Sequence, residues 1–322
     1  MKVFVTGATG VVGRRAVPLL VRAGHRVTAV ARSADKAKRL ERLGVLPVGV
    51  DLFDRRALRE ALPGHDVVIN LATHIPHSTA RLLLPGAWRE NDRIRRVGSA
   101  NLVDAALAAG VQRFIQESFA PVYPDCGDAW IDETTALEPA RFNASITDAE
   151  TAAQRFGDRG RIDIVLRFAA FYGPDAYQTR DMIKAVRRGW APVPGRPDAF
   201  FSSISHDDAA SAVVAALKLP RGIYNVVDDE PLPRREVGAT LAAALGVRPP
   251  RALPAWFIRL TGSLGELMSR SQRISNRKLR NASAWVPKYP SLREGWREVL
   301  QALQQPVASS DDGRDAFGLS DG

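Results

Sequence analysis

Along the first 170 positions, apolar residues gather in short, nearly unbroken runs separated by longer mixed stretches. KVFVT, RVTAVA, LPVGV, DVVINLA, RFIQES and RIDIVLRF are such runs, rich in β-branched side chains. Runs of this length and composition read as strands covered on both faces, the pattern of a parallel sheet. Between them, helical spacing predicts helices near 11–23, 34–43, 54–62, 92–109 and 145–157. Strand and helix in alternation predict an α/β fold with a doubly wound parallel sheet.

After position 170 the alternation loosens. YQTRDMIKAVRRG, DDAASAVVAALKL, RREVGATLAAALG and PAWFIRLTGSLGELMSR read as helices, and GIYNVV as a strand. In the last of those helices Trp256, Leu260, Leu264, Leu267 and Met268 form a stripe at helical spacing, which predicts a packing face. The expected organisation is a dinucleotide-binding domain over 1–169 and a smaller C-terminal substrate domain over 170–304 with partial returns to the sheet. Residues 305–322 are polar, acidic and rich in glycine and serine, and are expected to form a disordered tail.

Composition adds bounds. The 322 residues are 45% hydrophobic, enough for a sizeable core. One cysteine, Cys126, excludes an intrachain disulfide and fits a reducing cytoplasm. No apolar run approaches the ~18 residues of a membrane span. The opening MKVFVTGATG lacks the unbroken apolar stretch of a signal peptide. The net charge is +10 and uneven, with ten Arg or Lys against three Glu in residues 251–300. No zinc, helix-turn-helix or RNA-binding signature accompanies that charge, so a nucleic-acid partner is not expected, nor is a membrane. A small-molecule substrate is, and a homodimer stays open.

Chemistry enters at TGATGVVG. Gly7, Gly10 and Gly13 follow the first strand and open the first helix. The first glycine permits a tight turn, the second admits a pyrophosphate to the backbone, and the third lets helix and strand pack closely. The helix N-terminus adds unpaired N–H groups and positive dipole. Residues Gly7, Ala8, Thr9, Gly10, Val11, Val12 and Gly13 are therefore the candidate phosphate cradle. The second strand ends in Ala31 and Arg32, where an NAD site commonly carries an acid for the ribose hydroxyls. Alanine cannot serve, and a guanidinium suits a 2′-phosphate, so NADP is expected in preference to NAD.

These features resemble the short-chain dehydrogenase/reductase superfamily, in its extended NAD-dependent epimerase/dehydratase branch. VDLFD resembles the segment that holds adenine, implying Asp51 and Leu52; INLAT resembles the loop beside the cofactor, implying Leu71, Ala72 and Thr73. GSANLVDAALAAGVQRFIQES, ESFAPVY, LRFAAFYGP, SHDDAASAVVAAL and GIYNVVDDEP resemble later segments, so the likeness spans about residues 1–300. It implies a Rossmann fold and hydride chemistry.

The likeness breaks at EPARFNASITDAE. The family's catalytic pair is a tyrosine and, four residues on, a lysine. Aligned by Glu150, those positions hold Phe142 and Ile146. Four residues beyond Tyr123, Tyr172, Tyr177, Tyr224 and Tyr289 stand Gly127, Ala176, Asp181, Asp228 and Arg293, so the chain contains no Tyr-x-x-x-Lys. Ser118 and Tyr123, near the end of the fifth strand, are the candidate replacements, although counting from Tyr123 puts the family's serine position on Phe119. Glu117 and His74 are further candidates. Cys126 has no identifiable base, and His74 with His77 lacks a third ligand, so no metal is expected. Two readings follow: an NADP-dependent oxidoreductase or epimerase-like enzyme acting on a small carbonyl or sugar-like substrate, or a non-catalytic NADP-binding redox sensor or regulatory protein.

Overall fold

The structure is a computed structural model that describes residues 1–76, 84, 86–252 and 262–304, apart from the side chains at 142, 263, 264 and 266. The tail expected at 305–322, His77, Trp256 and Leu260 lie outside the described residues, as does the side chain of Leu264.

Seven parallel strands form the central sheet: β1 (Lys2–Thr6), β2 (Arg26–Val30), β3 (Leu46–Val48), β4 (Val67–Asn70), β5 (Arg113–Phe119), β6 (Ile162–Phe168) and β7 (Gly222–Val226). Their order across the sheet is β7-β6-β5-β4-β1-β2-β3. The six apolar runs of the first 170 residues are the first six of these strands, and GIYNVV supplies the seventh from the C-terminal half.

Successive strand residues point to opposite faces. Val3 and Val5 join one core with Ile69, Ile115 and Leu166, packed on helices α1 (Gly13–Arg22) and α8 (His206–Ala215). Phe4 joins the other core with Val68, Phe114 and Val165, on α3 (Arg55–Ala61), α5 (Ser99–Ala108) and α6 (Ile146–Gly157). Both faces are dry, which is why the strands read as continuous apolar runs rather than alternating ones. Each such side chain contributes about 1.5–3 kcal/mol by leaving water.

The remaining helices are α2 (Ala34–Glu41), α4 (Arg89–Arg93), α7 (Tyr177–Arg187), α9 (Arg234–Leu245), α10 (Gly262–Ser269), α11 (Arg277–Ala282) and α12 (Leu292–Gln304). The single helix expected over 92–109 is instead α4, a π-helical turn at Ile94–Gly98, and α5. A third core joins Tyr172, Ile183, Val186, Leu241, Leu292 and Trp296, from α7, α9, α12 and the segment after β6. Thus 170–304 both builds its own small core and returns β7 and α8 to the main sheet. In the predicted apolar stripe, Leu267 is buried and Met268 half-buried.

Candidate active site

Strand order reverses at β1, with β4 on one side and β2 on the other. Ligands of open α/β sheets sit at such a reversal, beyond the carboxyl ends of the strands. Gly7 leaves β1 there with φ +68°, and a Cβ on it would lie 2.3 Å from the Leu71 carbonyl oxygen. Only glycine allows the turn to press so closely on the β4 loop. A Cβ on Gly13 would stand 2.2 Å from the Gly7 oxygen, so the third glycine lets α1 start against the turn. Gly10 differs: its Cβ would meet only the Gly7 oxygen, at 3.2 Å, and otherwise open space. That side is left open at the sheet reversal. Ala8 and Val12 point into the core, so they can offer backbone only, while Val11 and Thr9 lie nearer the surface.

Asn70 fastens the next wall. Its Oδ1 accepts from the Thr6 hydroxyl at 2.6 Å and the Ala72 N–H at 3.3 Å, and its Nδ2 donates to Ser99 and Gln116. Leu71 and Ala72 are held at the head of β4 by that amide. In the loop after β3, the Leu52 carbonyl accepts from Asn101 Nδ2 at 3.1 Å and Asp51 caps the Phe53 N–H. Arg32 is exposed beside Ser33, whose side chain caps α2 by accepting from the Lys36 N–H.

The second half closes on α1 through charge. Arg14 and Arg15 both reach Asp175, and Arg15 also reaches Asp207. His206 lies against Asp175 at 3.2 Å, yet burial, with Arg15 and Arg14 nearby, pushes its pKa down to about 3. Asp175 is already paired with the two arginines, so it does not rescue the imidazolium.

At the expected catalytic helix, Ile146 is the first residue of α6 and fully buried. Ser118 and Tyr123 are redirected by the structure. The Ser118 hydroxyl donates to Glu150 at 2.5 Å, and Arg167 clamps both oxygens of the same carboxylate at 2.8 and 2.6 Å. Arg167 also donates to the Tyr123 hydroxyl at 2.8 Å, which in turn donates to Asn225 at 2.9 Å. Every member is buried. These groups brace β5, α6, β6 and β7, and burial raises the Tyr123 pKa further from the range of a useful acid. The reason is strand alternation: Ser118 falls on the same side of β5 as Phe114, the side that α6 covers. Cys126 is half-buried with its thiol pKa raised, first by burial and then by Asp125 and Glu138, so it stays a thiol.

A different polar group lies beside the missing pair. Arg95, in the π turn, donates to Glu117 Oε1 at 3.4 Å, and both are buried. Burial raises the Glu117 carboxyl pKa and Arg95 opposes the rise. Among the described residues, Arg95 Nε, Glu117 Oε2, Asn91 Nδ2 and both side-chain polar atoms of Asn143 have no hydrogen-bond partner. Contacts hold these residues around one corner. Asn91 Oδ1 accepts from the His74 N–H at 2.9 Å, on the β4 loop, and Asp92 accepts from Ser145 at 2.7 Å, just before α6. Glu117 was visible in the sequence as a candidate; Arg95 was not, because only the π turn and the fold bring it to Glu117. Among the described residues no cluster of three His, Cys, Asp or Glu side chains could hold a metal, and no helix is long and apolar enough to cross a membrane.

A glycine cradle at the sheet reversal, with no side chain among the described residues against Gly10, defines a dinucleotide-binding protein. The chain belongs to the NAD(P)H-binding family, whose model matches residues 7–220. It is 33% identical over 310 residues to a 3-diazoavenalumate denitrifying reductase of Streptomyces sp, covering 92% of this chain and 99% of that one. It is 27% identical to a 4-hydroxy-2-methyl-3-oxo-4-farnesyl-3,4-dihydroquinoline-1-oxide ketoreductase of Stigmatella aurantiaca, over 84% of this chain and 81% of the other. The fold matches a human epimerase family protein solved with NADPH (TM-score 0.77, 22% identity, 94% of this chain and 99% of that one). It also matches the UDP-glucose 4-epimerase of Thermus thermophilus solved with NAD (TM-score 0.74, 24% identity, 95% and 100%). The NAD(P)-binding likeness and the Rossmann fold read from the sequence therefore hold.

Proposed function

We propose that this protein is an NADP(H)-dependent reductase that hands a hydride to an acceptor needing no proton from the enzyme in the same step, with an arene diazonium as the favoured acceptor class. The observation that carries it is the intact dinucleotide cradle beside a site with neither catalytic tyrosine nor lysine. The relative that matches nearly end to end, the 3-diazoavenalumate denitrifying reductase, supports the choice of acceptor.

Bound NADPH would supply the hydride. Gly7, Gly10, Gly13 and the α1 N-terminus would hold its pyrophosphate, Asp51 and Leu52 its adenine, Arg32 its 2′-phosphate, and Leu71 and Ala72 would line the path toward the nicotinamide. A ketone reduced to an alkoxide demands a proton, and acid catalysis is commonly worth about 10²–10⁴-fold. A diazonium does not. Hydride added to its terminal nitrogen cancels the positive charge and yields a neutral aryl diazene, Ar–N=NH, which leaves as the arene and N₂. No oxyanion forms, so no oxyanion donor is required. A lysine would be harmful, since an ammonium about 4 Å from a cationic acceptor opposes it by roughly 4 kcal/mol at an effective dielectric constant of 20. Ile146 at that position removes the repulsion.

The test is anaerobic incubation of the purified protein with NADPH and a hydroxyaryl or carboxyaryl diazonium salt, following NADPH loss, arene formation and N₂ release in equal amounts. Reduction of a ketone panel with no diazonium turnover above the uncatalysed rate would transfer the assignment to carbonyl chemistry. Failure of both, with NADPH bound, would leave the binding-protein reading.

A further inference from the structure

Glu117 occupies an unusual position for a carboxyl group. It stands near the carboxyl end of β5, level with the β4 loop that carries Leu71 and Ala72, and it is buried with one oxygen on Arg95 and the other without a partner among the described residues. A buried charge left half-satisfied is costly and persists where it serves a ligand or a mechanism. The helix that delivers Arg95 is broken by a π turn at Ile94–Gly98, an irregularity frequent at functional sites. Asn91, one turn before Arg95 in the chain, and Asn143, just before α6, are buried with amide atoms that lack a partner among the described residues. The positions that would carry the family's proton donor and fixed cation are, by contrast, apolar in sequence, Phe142 and Ile146.

We infer that Glu117, braced by Arg95, is the counter-ion for a cationic substrate group, its free oxygen Oε2 meeting the positive end of the hydride acceptor. This rests on the reductase reading and specifies it: the site selects charge as well as shape. One oxygen on Arg95 fixes the carboxylate's orientation, and the other is left for the ligand. The groups facing Glu117 are Arg95 from the π turn and Glu150 from α6, the latter already held by Arg167 and Ser118. The side chain therefore meets one cation and one acid that is itself neutralised. A ligand cation completes the pairing. Glu117 changes charge state in neither substrate nor product; it gives no proton and takes none.

The experiment uses the whole protein with NADP⁺ bound and two unreactive probes, a phenyltrimethylammonium ion and its neutral tert-butylbenzene counterpart, measured by calorimetry. The expected result is a preference for the cation of about tenfold or more in wild type, since a carboxylate at contact distance attracts even a cation that donates no hydrogen bond through charge alone. Glu117→Gln, which keeps the shape, should abolish the preference while leaving NADP⁺ affinity unchanged, and Glu117→Asp should retain part of it. On wild type alone the preference should fade as pH falls and the carboxylate gains a proton, which keeps the test valid if a variant does not fold. Equal binding of the two probes by wild type, or a preference untouched in Glu117→Gln, overturns the inference. A turnover rate that instead falls as pH rises through the Glu117 ionisation overturns it too, and makes Glu117 a proton donor. If diazonium reduction proceeds without any charge preference, the counter-ion fails while the reductase reading stands. If the charge preference is present but no diazonium is reduced, Glu117 keeps its role and the acceptor class is wrong.

Discussion

Gly10 and Gly13 look alike in the motif and differ in what a side chain would meet. Gly13 has backbone 2.2 Å from a would-be Cβ, whereas Gly10 has open space on the ligand side. Gly10→Val should therefore fold and lose dinucleotide binding, while Gly13→Val should lose stability as well. Circular dichroism with calorimetry separates the two, and a folded Gly10→Val that still binds NADPH would reduce the motif to a turn. Arg32 is exposed at the end of β2. If it meets a 2′-phosphate, Arg32→Ala should weaken NADPH by about tenfold or more and leave NADH nearly unchanged, the loss of one charge-assisted contact. Equal losses for both cofactors would place the phosphate elsewhere.

At the scale of elements, two seams bury charged side chains. Between β5, α6 and β6, Glu150 is held by Ser118 and by two nitrogens of Arg167. Arg167→Met leaves that buried carboxylate without its partner and should cost about 3–5 kcal/mol, whereas Ser118→Ala removes one hydrogen bond and should cost about 1–3 kcal/mol. Chemical denaturation reads both, and a Ser118→Ala protein with normal stability but lower kcat would return the serine to the chemistry. Between α1 and α8, His206 is buried neutral with its pKa down at about 3. Its unfolded value lies near 6.5, so the unfolded chain takes up a proton first as pH falls. Stability is then full above about pH 6.5 and declines toward pH 3, by at most about 1.4 kcal/mol per pH unit from this group. His206→Gln should flatten that part of the stability–pH curve; an unchanged slope would show that other groups set it.

For the whole molecule, the cradle joins both halves of the chain. Arg14 and Arg15 leave the glycine turn and pair with Asp175 and Asp207, which follow the sixth strand in sequence. A ligand on the cradle therefore binds only the assembled molecule. NADPH at about 100 times its Kd should stabilise the fold by about 2.7 kcal/mol, seen as a rise in Tm that NADH at the same concentration does not match. An equal rise with both cofactors would contradict the preference read from Ala31 and Arg32.

The amino-acid sequence alone determined the parallel sheet, because strands dry on both faces must be continuously apolar, and the glycine cradle, because only glycine tolerates its contacts. It also determined what is missing, since Tyr-x-x-x-Lys is a local pattern whose absence needs no coordinates. It did not reveal the π turn inside 92–109, because hydrophobic spacing does not register one extra residue in a helical turn. Only the tertiary structure decided where Ser118 and Tyr123 point. A strand residue's neighbours come from distant segments, here Glu150, Arg167 and Asn225. The same holds for the pairing of Glu117 with Arg95, 22 residues apart: a one-residue step along β5 separates a hydroxyl bonded within the core from a carboxylate with an oxygen to spare, and packing, not spacing, sets which is which.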